Sequence, residues 1–131
     1  GTLASNVSMS GGTLDADNSL TVSGTLTHTD DITIDVLTDK ILTYSGTAIS
    51  LGANTLTLSG GGTFSNTNAL VLNNADSLLS LEGIGTIGNV QATVNATSGK
   101  GIQVVESATL GSFDLTATSF LDIAENVLLD L

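Results

Sequence analysis

Apolar and small polar residues alternate along this chain in short runs, and each run stops at Gly, Asn, Ser or Asp. Thr55-Leu56-Thr57-Leu58, closed by Ser59-Gly60-Gly61-Gly62, is the clearest example. Asn18-Ser19-Leu20-Thr21-Val22-Ser23-Gly24 and Asp76-Ser77-Leu78-Leu79-Ser80-Leu81-Glu82-Gly83 repeat the form. Successive side chains of a strand point to opposite faces, so Leu-Thr-Leu sends Leu one way and Thr the other. The pattern predicts strands at 19–22, 25–27, 32–36, 41–44, 48–51, 55–58, 62–64, 69–72, 77–81, 84–87, 90–94, 102–105, 108–110, 113–116 and 119–123. Their starts fall about seven residues apart in mid-chain, so three strands make a turn of roughly 21 residues. The expected fold is all-β: a parallel β-helix (β-solenoid) of about six coils in a single domain over 1–131, forming a rod of about 30 Å.

An internal repeat points the same way. Aligned on Leu20, Leu56, Leu70 and Leu78, the chain shares Asn or Asp, a small residue, Leu, any residue, then an aliphatic one. On this alignment Leu56 to Leu78 is one coil and Leu78 to Phe120 is two. Leu20 to Leu56 fits less well, which implies an insertion near 28–40. The segment Phe120–Leu131 reads as two strands, with Leu121 and Ile123 and then Val127, Leu129 and Leu131 inward. A helix with Leu121, Ala124, Leu128 and Leu131 on one face is the competing reading. Pro is absent, so no ladder loses an N–H donor to it.

Composition narrows the function. Apolar residues make up 40% of the chain, but there is no Trp and only one Tyr, so the core must be aliphatic. Charged residues are only 11%, which suits stacked strands, because like charges one rung apart repel. The formal charge of −11, with Lys40 and Lys100 as the only cations, excludes a phosphate-neutralising nucleic-acid surface. It excludes a polybasic membrane patch equally. No run approaches the ~20 apolar residues of a transmembrane helix, so no membrane insertion is expected. Without Cys, neither disulfides nor thiolate sites form. The opening Gly1-Thr2-Leu3 suggests a processed product or part of something longer.

Three groupings could carry chemistry. Asp15-Ala16-Asp17-Asn18 sets hard oxygens at alternate positions, which suits calcium, but it lacks the sixth-position Gly and distal Glu of an EF-hand. Asp30, Asp31, Asp35 and Asp39 form a denser patch beside His28 and Lys40, readable as a cation site or as a solvated loop. His28 is the only His, and an exposed Thr-His-Thr strand position is expected for it. The chain is not expected to be an enzyme, since it lacks Arg, sugar-stacking aromatics and loops long enough to wall a cleft.

The Thr-x-Thr pairs at Thr25/Thr27, Thr27/Thr29, Thr55/Thr57 and Thr116/Thr118 raise ice binding, but do not recur at one coil position. Two sequons, Asn6-Val7-Ser8 and Asn95-Ala96-Thr97, could carry glycans on a secreted protein. Ile84-Gly85-Thr86-Ile87-Gly88-Asn89 hints at a left-handed hexapeptide helix but lasts barely two hexads.

The run Ala53 to Ile87, above all Asn54-Thr55-Leu56-Thr57-Leu58-Ser59-Gly60-Gly61-Gly62-Thr63-Phe64, resembles the β-helix repeats of bacterial surface proteins. These are the autotransporter passengers and filamentous-haemagglutinin-like adhesins. The resemblance implies a right-handed coil, export to the cell surface, and a role as stalk, adhesin or fibre. The segments 2–9 and 126–131 alternate like strands and carry no Pro, charge cluster or evident capping helix. Leu3 and Val7 at one end, with Val127, Leu129 and Leu131 at the other, are the expected stacking edges. Copies of the chain are then the expected partners, joined head to tail. The alternative is a ligand-binding module for host or surface glycans, or for ice.

Overall fold

The computed structural model describes residues 1–115 and 121–131, and no side chain is described for Leu115. Phe120 and the Thr116/Thr118 pair therefore lie outside the described residues, as does part of the expected strand 119–123. The chain is a parallel β-solenoid of about six turns, with no helix among the described residues.

The first coil contains β1 (Thr2–Leu3), β2 (Val7–Met9) and β3 (Thr13–Ala16), and the second β4 (Leu20–Val22), β5 (Leu26–His28) and β6 (Ile32–Val36). The third holds β7 (Ile41–Tyr44), β8 (Ile49–Ser50) and β9 (Thr55–Ser59), and the fourth β10 (Thr63–Asn66), β11 (Leu70–Leu72) and β12 (Leu78–Leu81). The fifth has β13 (Thr86–Ala92) and β14 (Gly101–Val104), and the sixth β15 (Ala108–Leu115) and β16 (Leu121–Ile123). β17 (Leu129–Asp130) starts a further rung on β15. Among the described residues, all pairs of strands are parallel, and they build three faces.

The first face stacks β1, β4, β7, β10, the start of β13, the start of β15 and β17. The third stacks β3, β6, β9, β12, β14 and β16. On the second face β2 pairs β5, while β8, β11 and the later halves of β13 and β15 form their own ladder.

The core is a set of vertical columns. Ile34, Leu58, Leu81 and Val104 lie in register on the third face, each at most 1% exposed. On the first face the column is Leu20, Leu42, Phe64, Ile87 and Leu110. Each buried aliphatic side chain contributes about 1.5–3 kcal/mol relative to exposure. A long aliphatic column therefore replaces the aromatic core the sequence lacks. Phe64 adds one ring contact, stacking with Tyr44 at 6.4 Å between centroids.

The coil length varies. Val7 and Leu26 are partners 19 residues apart, whereas Ile32 and Leu56 are 24 apart. The turn after β6 absorbs extra residues with Asp39 at φ 65° and a bridge from Leu37 to Gly61. The strands expected at 32–36 and 41–44 are present with those bounds.

Other expectations are corrected. Leu56 pairs with Leu79, not Leu78, and Leu78 sits opposite Thr55. In the doublet Leu78-Leu79 either leucine satisfies an alternating pattern, and a one-residue slip reverses the face. The repeat aligned on Leu20, Leu56, Leu70 and Leu78 therefore mixed all three faces. The pairs of strands expected at 84–87 and 90–94, and at 108–110 and 113–116, are single strands, β13 and β15. Gly88 does not end β13. It lets the strand pass close to Asn66, where an added Cβ would lie 2.5 Å from Oδ1.

Candidate functional sites: acidic patch, threonine columns and solenoid ends

The acids expected to bind calcium do not gather. Asp15 lies on β3 opposite Asp35 of β6. Asp17 and Asn18 follow in the exposed turn, and the three line a shallow depression with Ser19 and Leu20. Asp30 and Asp31 sit instead at the entry to β6. There the Asp31 N–H donates to Asp30 Oδ1 at 2.9 Å, and the Thr55 N–H donates to Asp31 Oδ1 at 2.7 Å. These carboxylates satisfy backbone donors of their own turn and of the next coil. Asp35 Oδ2 is likewise engaged, accepting from Ser59 Oγ at 2.7 Å. Among the described residues, no three His, Asp or Glu side chains converge where a metal ion could be held. Crowding has one electrostatic result. The Asp17 carboxylate pushes the Asp15 carboxyl above its ordinary value of 3.8, with lost hydration and then Asp35 adding to the effect.

His28 is not an exposed strand residue. It pairs with Met9, whose side chain packs against the core, and it is half-buried. Nδ1 lies 3.0 Å from the Asp30 carbonyl, while Nε2 is buried without a hydrogen-bond partner. Thr27 and Thr29 are polar, so the parity of β5 turns His28 inward with Leu26.

Threonines do form columns, and of the Thr-x-Thr residues Thr57 joins one while Thr55 lies opposite Leu78. Thr63, Thr86 and Thr109 stack on the first face between Ile41 and Asp130. Thr13, Thr33 and Thr57 stack on the third, continued by Ser80, Gln103 and Asp122. Thr55, Thr57 and Asp31 line a shallow depression against that second column.

A polar cluster that sequence reasoning missed turns the corner between the first and second faces. Asn66 is 4% exposed. Its Nδ2 donates to the carbonyls of Asn68 (2.9 Å) and Asn89 (2.8 Å), and its Oδ1 accepts the N–H groups of Gly88 (3.0 Å) and Asn89 (3.2 Å). Asn89 Nδ2 returns to the carbonyls of Asn66 and Thr67. Tyr44, in register with Asn66, accepts the Leu26 N–H at 3.0 Å and donates to the Thr47 carbonyl at 2.7 Å. In so Asn-rich a chain, the one available signal was position: Asn66 falls two residues after the inward Phe64.

The ends of the coil differ from its middle. Among the described residues, β1, β2 and β3 each pair on one side only, with β4, β5 and β6, and β16 and β17 pair only with β14 and β15. Of the expected stacking residues, Leu3 lies in β1 and is 37% exposed, while Val7 in β2 is half-buried. Val127 and Leu129 pack partly on the core, and Leu131 is 76% exposed. The structure adds Leu121 and Ile123, which continue the inward columns of Ile102 and Val104 yet remain 39% and 42% exposed. The C-terminal segment is thus strand, as β16 and β17, and not helix.

These features define a three-sided parallel β-solenoid whose end rungs, among the described residues, leave strand edges and core columns uncovered. No family model matches the chain, and neither a curated protein nor a solved structure matches it.

Proposed function

We propose that this chain is an extracellular structural protein, a rod that stacks end to end into a surface filament or extends an adhesin stalk. One observation carries the reading. Among the described residues, core columns run the length of the coil and remain open at Leu121 and Ile123, where a further rung would cover them. Unprotected strand edges are templates for further pairing, and natural folds ordinarily block them. The chemistry of the exterior agrees with a passive role. Asp30 and Asp31 serve backbone donors, and the outward columns are mostly hydroxyls and amides with few charges.

A second reading has its own support. The aligned hydroxyls of Thr63, Thr86 and Thr109 present one regular face, which suits a module that binds glycans or ice. Negative-stain electron microscopy of the purified chain, with and without calcium, tests both. Thin uniform filaments support stacking, and their dependence on calcium would give the acidic patch a role. Dispersed particles in both conditions, together with retention on a glycan array or shaping of ice crystals, would favour the ligand-binding module.

A further inference from the structure

The corner between the first and second faces differs in length from coil to coil. Leu3, Val22, Tyr44 and Asn66 stack as partners at the end of the first face. From Leu3 to Val7, from Val22 to Leu26 and from Asn66 to Leu70, the second face is reached four residues later. From Tyr44 to Ile49 it is reached five residues later. Val7 pairs with Leu26, and Ile49 pairs with Leu70. The surplus residue of the third coil is not absorbed toward the second. Among the described residues no ladder joins β5 to β8, and the second face splits there into two sheets. At the same boundary the first and third faces are unbroken, with β4 on β7 and β6 on β9.

Tyr44 fills the break. Its hydroxyl accepts the Leu26 N–H at 3.0 Å and donates to the Thr47 carbonyl at 2.7 Å. A phenol thus stands where one backbone hydrogen bond would have closed the ladder. Gly46 leaves room for it, since an added Cβ would meet the Gly24 carbonyl and the Tyr44 hydroxyl. A second tie, between the Thr25 and Thr47 hydroxyls at 3.2 Å, lies at the exposed surface.

We infer that this break is a built-in opening point, where the second and third coils part on one face while the other two stay paired, with the Tyr44 hydroxyl as the latch. Local opening starts where the fewest backbone bonds hold neighbouring segments together. The inference goes beyond the structural-rod reading and concerns an interior boundary, so it holds wherever the chain begins or ends. A rod with this boundary bends at one level without losing its continuous ladders.

Hydrogen exchange of the full chain, resolved by residue with NMR, tests the opening. Thr21, Ser23 and Thr33 donate back to carbonyls of the first coil, which turns the Val22 and Ile34 amides toward β7 and β9. The Leu26 amide is turned toward β8. All three residues are at most 2% exposed, so burial does not separate them. After correction for intrinsic rates, Leu26 should exchange at least about tenfold faster than Val22 and Ile34. Tyr44→Phe keeps the ring and removes the hydroxyl. It should speed Leu26 about tenfold further and change Val22 and Ile34 less than about twofold.

Equal exchange at the three amides of the unmodified chain overturns the opening point, whether or not the variant folds. Fraying of whole coils would release the three together and so cannot mimic the expected result. No change at Leu26 in Tyr44→Phe, or equal acceleration at all three amides, overturns the latch.

Discussion

Leu58 and Ile123 stand in one column of the third face, and both point into the coil, yet one is fully buried and the other is 42% exposed. Nothing about the residues themselves explains this. Leu58 has a rung above and below it, and Ile123 has a rung on one side only. In a solenoid, burial comes from neighbouring coils, so stability is close to a sum of nearest-neighbour terms. The same inward position is core in the middle and open surface at the end.

The largest test of this contrast compares truncations in the two places. Leu58→Ala should destabilise the chain by about 2–5 kcal/mol through lost burial and an unfilled cavity. Ile123→Ala should cost under about 1 kcal/mol in the dilute monomer. Urea titration followed by circular dichroism gives both values, and equal shifts would break the nearest-neighbour picture.

A smaller effect is expected at the corner. Asn66→Ala strips partners from two backbone N–H groups and two carbonyls inside the coil. It should cost about 1–3 kcal/mol. Hydrogen exchange at Gly88 and Asn89 should accelerate more than at Leu56, and uniform acceleration would show that Asn66 does not hold the corner locally.

The smallest effect sits at the first coil. Asp15 titrates above 3.8 in the folded chain because Asp17, and to a lesser degree lost hydration and Asp35, disfavour its charged form. The folded state therefore binds the proton more tightly than the unfolded state does. Stability falls as pH rises from the ordinary value through the raised one, and the penalty persists above that window. Asp15→Asn should raise the melting temperature slightly at neutral pH and leave it unchanged below about pH 3. A melting difference of the same size at both pH values would assign the effect to packing rather than charge. Because Asp15 belongs to an end coil, the gain should be modest.

The sequence made much of this fold legible, for a reason the columns explain. Where polar and aliphatic residues alternate strictly, as in Thr55–Ser59 and Ile32–Val36, inward and outward positions are unambiguous and the strand bounds follow to within a residue. Where two apolar residues adjoin, as at Leu78-Leu79, the face is set by the rung beneath and no local pattern reveals it. Strand β3 was absent from the expected set because Gly11, Gly12 and Asp15 dilute its alternation, while β1 and β2 were read only as strand-like alternation over 2–9. The residues expected to stack, at 3, 7, 127, 129 and 131, were chosen from alternation near the two ends of the sequence. Leu121 and Ile123 were read as inward but not as an open edge, because exposure at an end depends on what lies above it. His28 was misplaced because its inward turn follows from its pairing with Met9, a contact 19 residues away.

The chain's single tyrosine has a practical consequence. Tyr44 is 1% exposed, its hydroxyl ties the second coil to the third, and there is no tryptophan to mask its emission. It is a native optical probe for one boundary between coils. Its fluorescence can follow the loosening of the first coils while circular dichroism follows the whole rod, without a label.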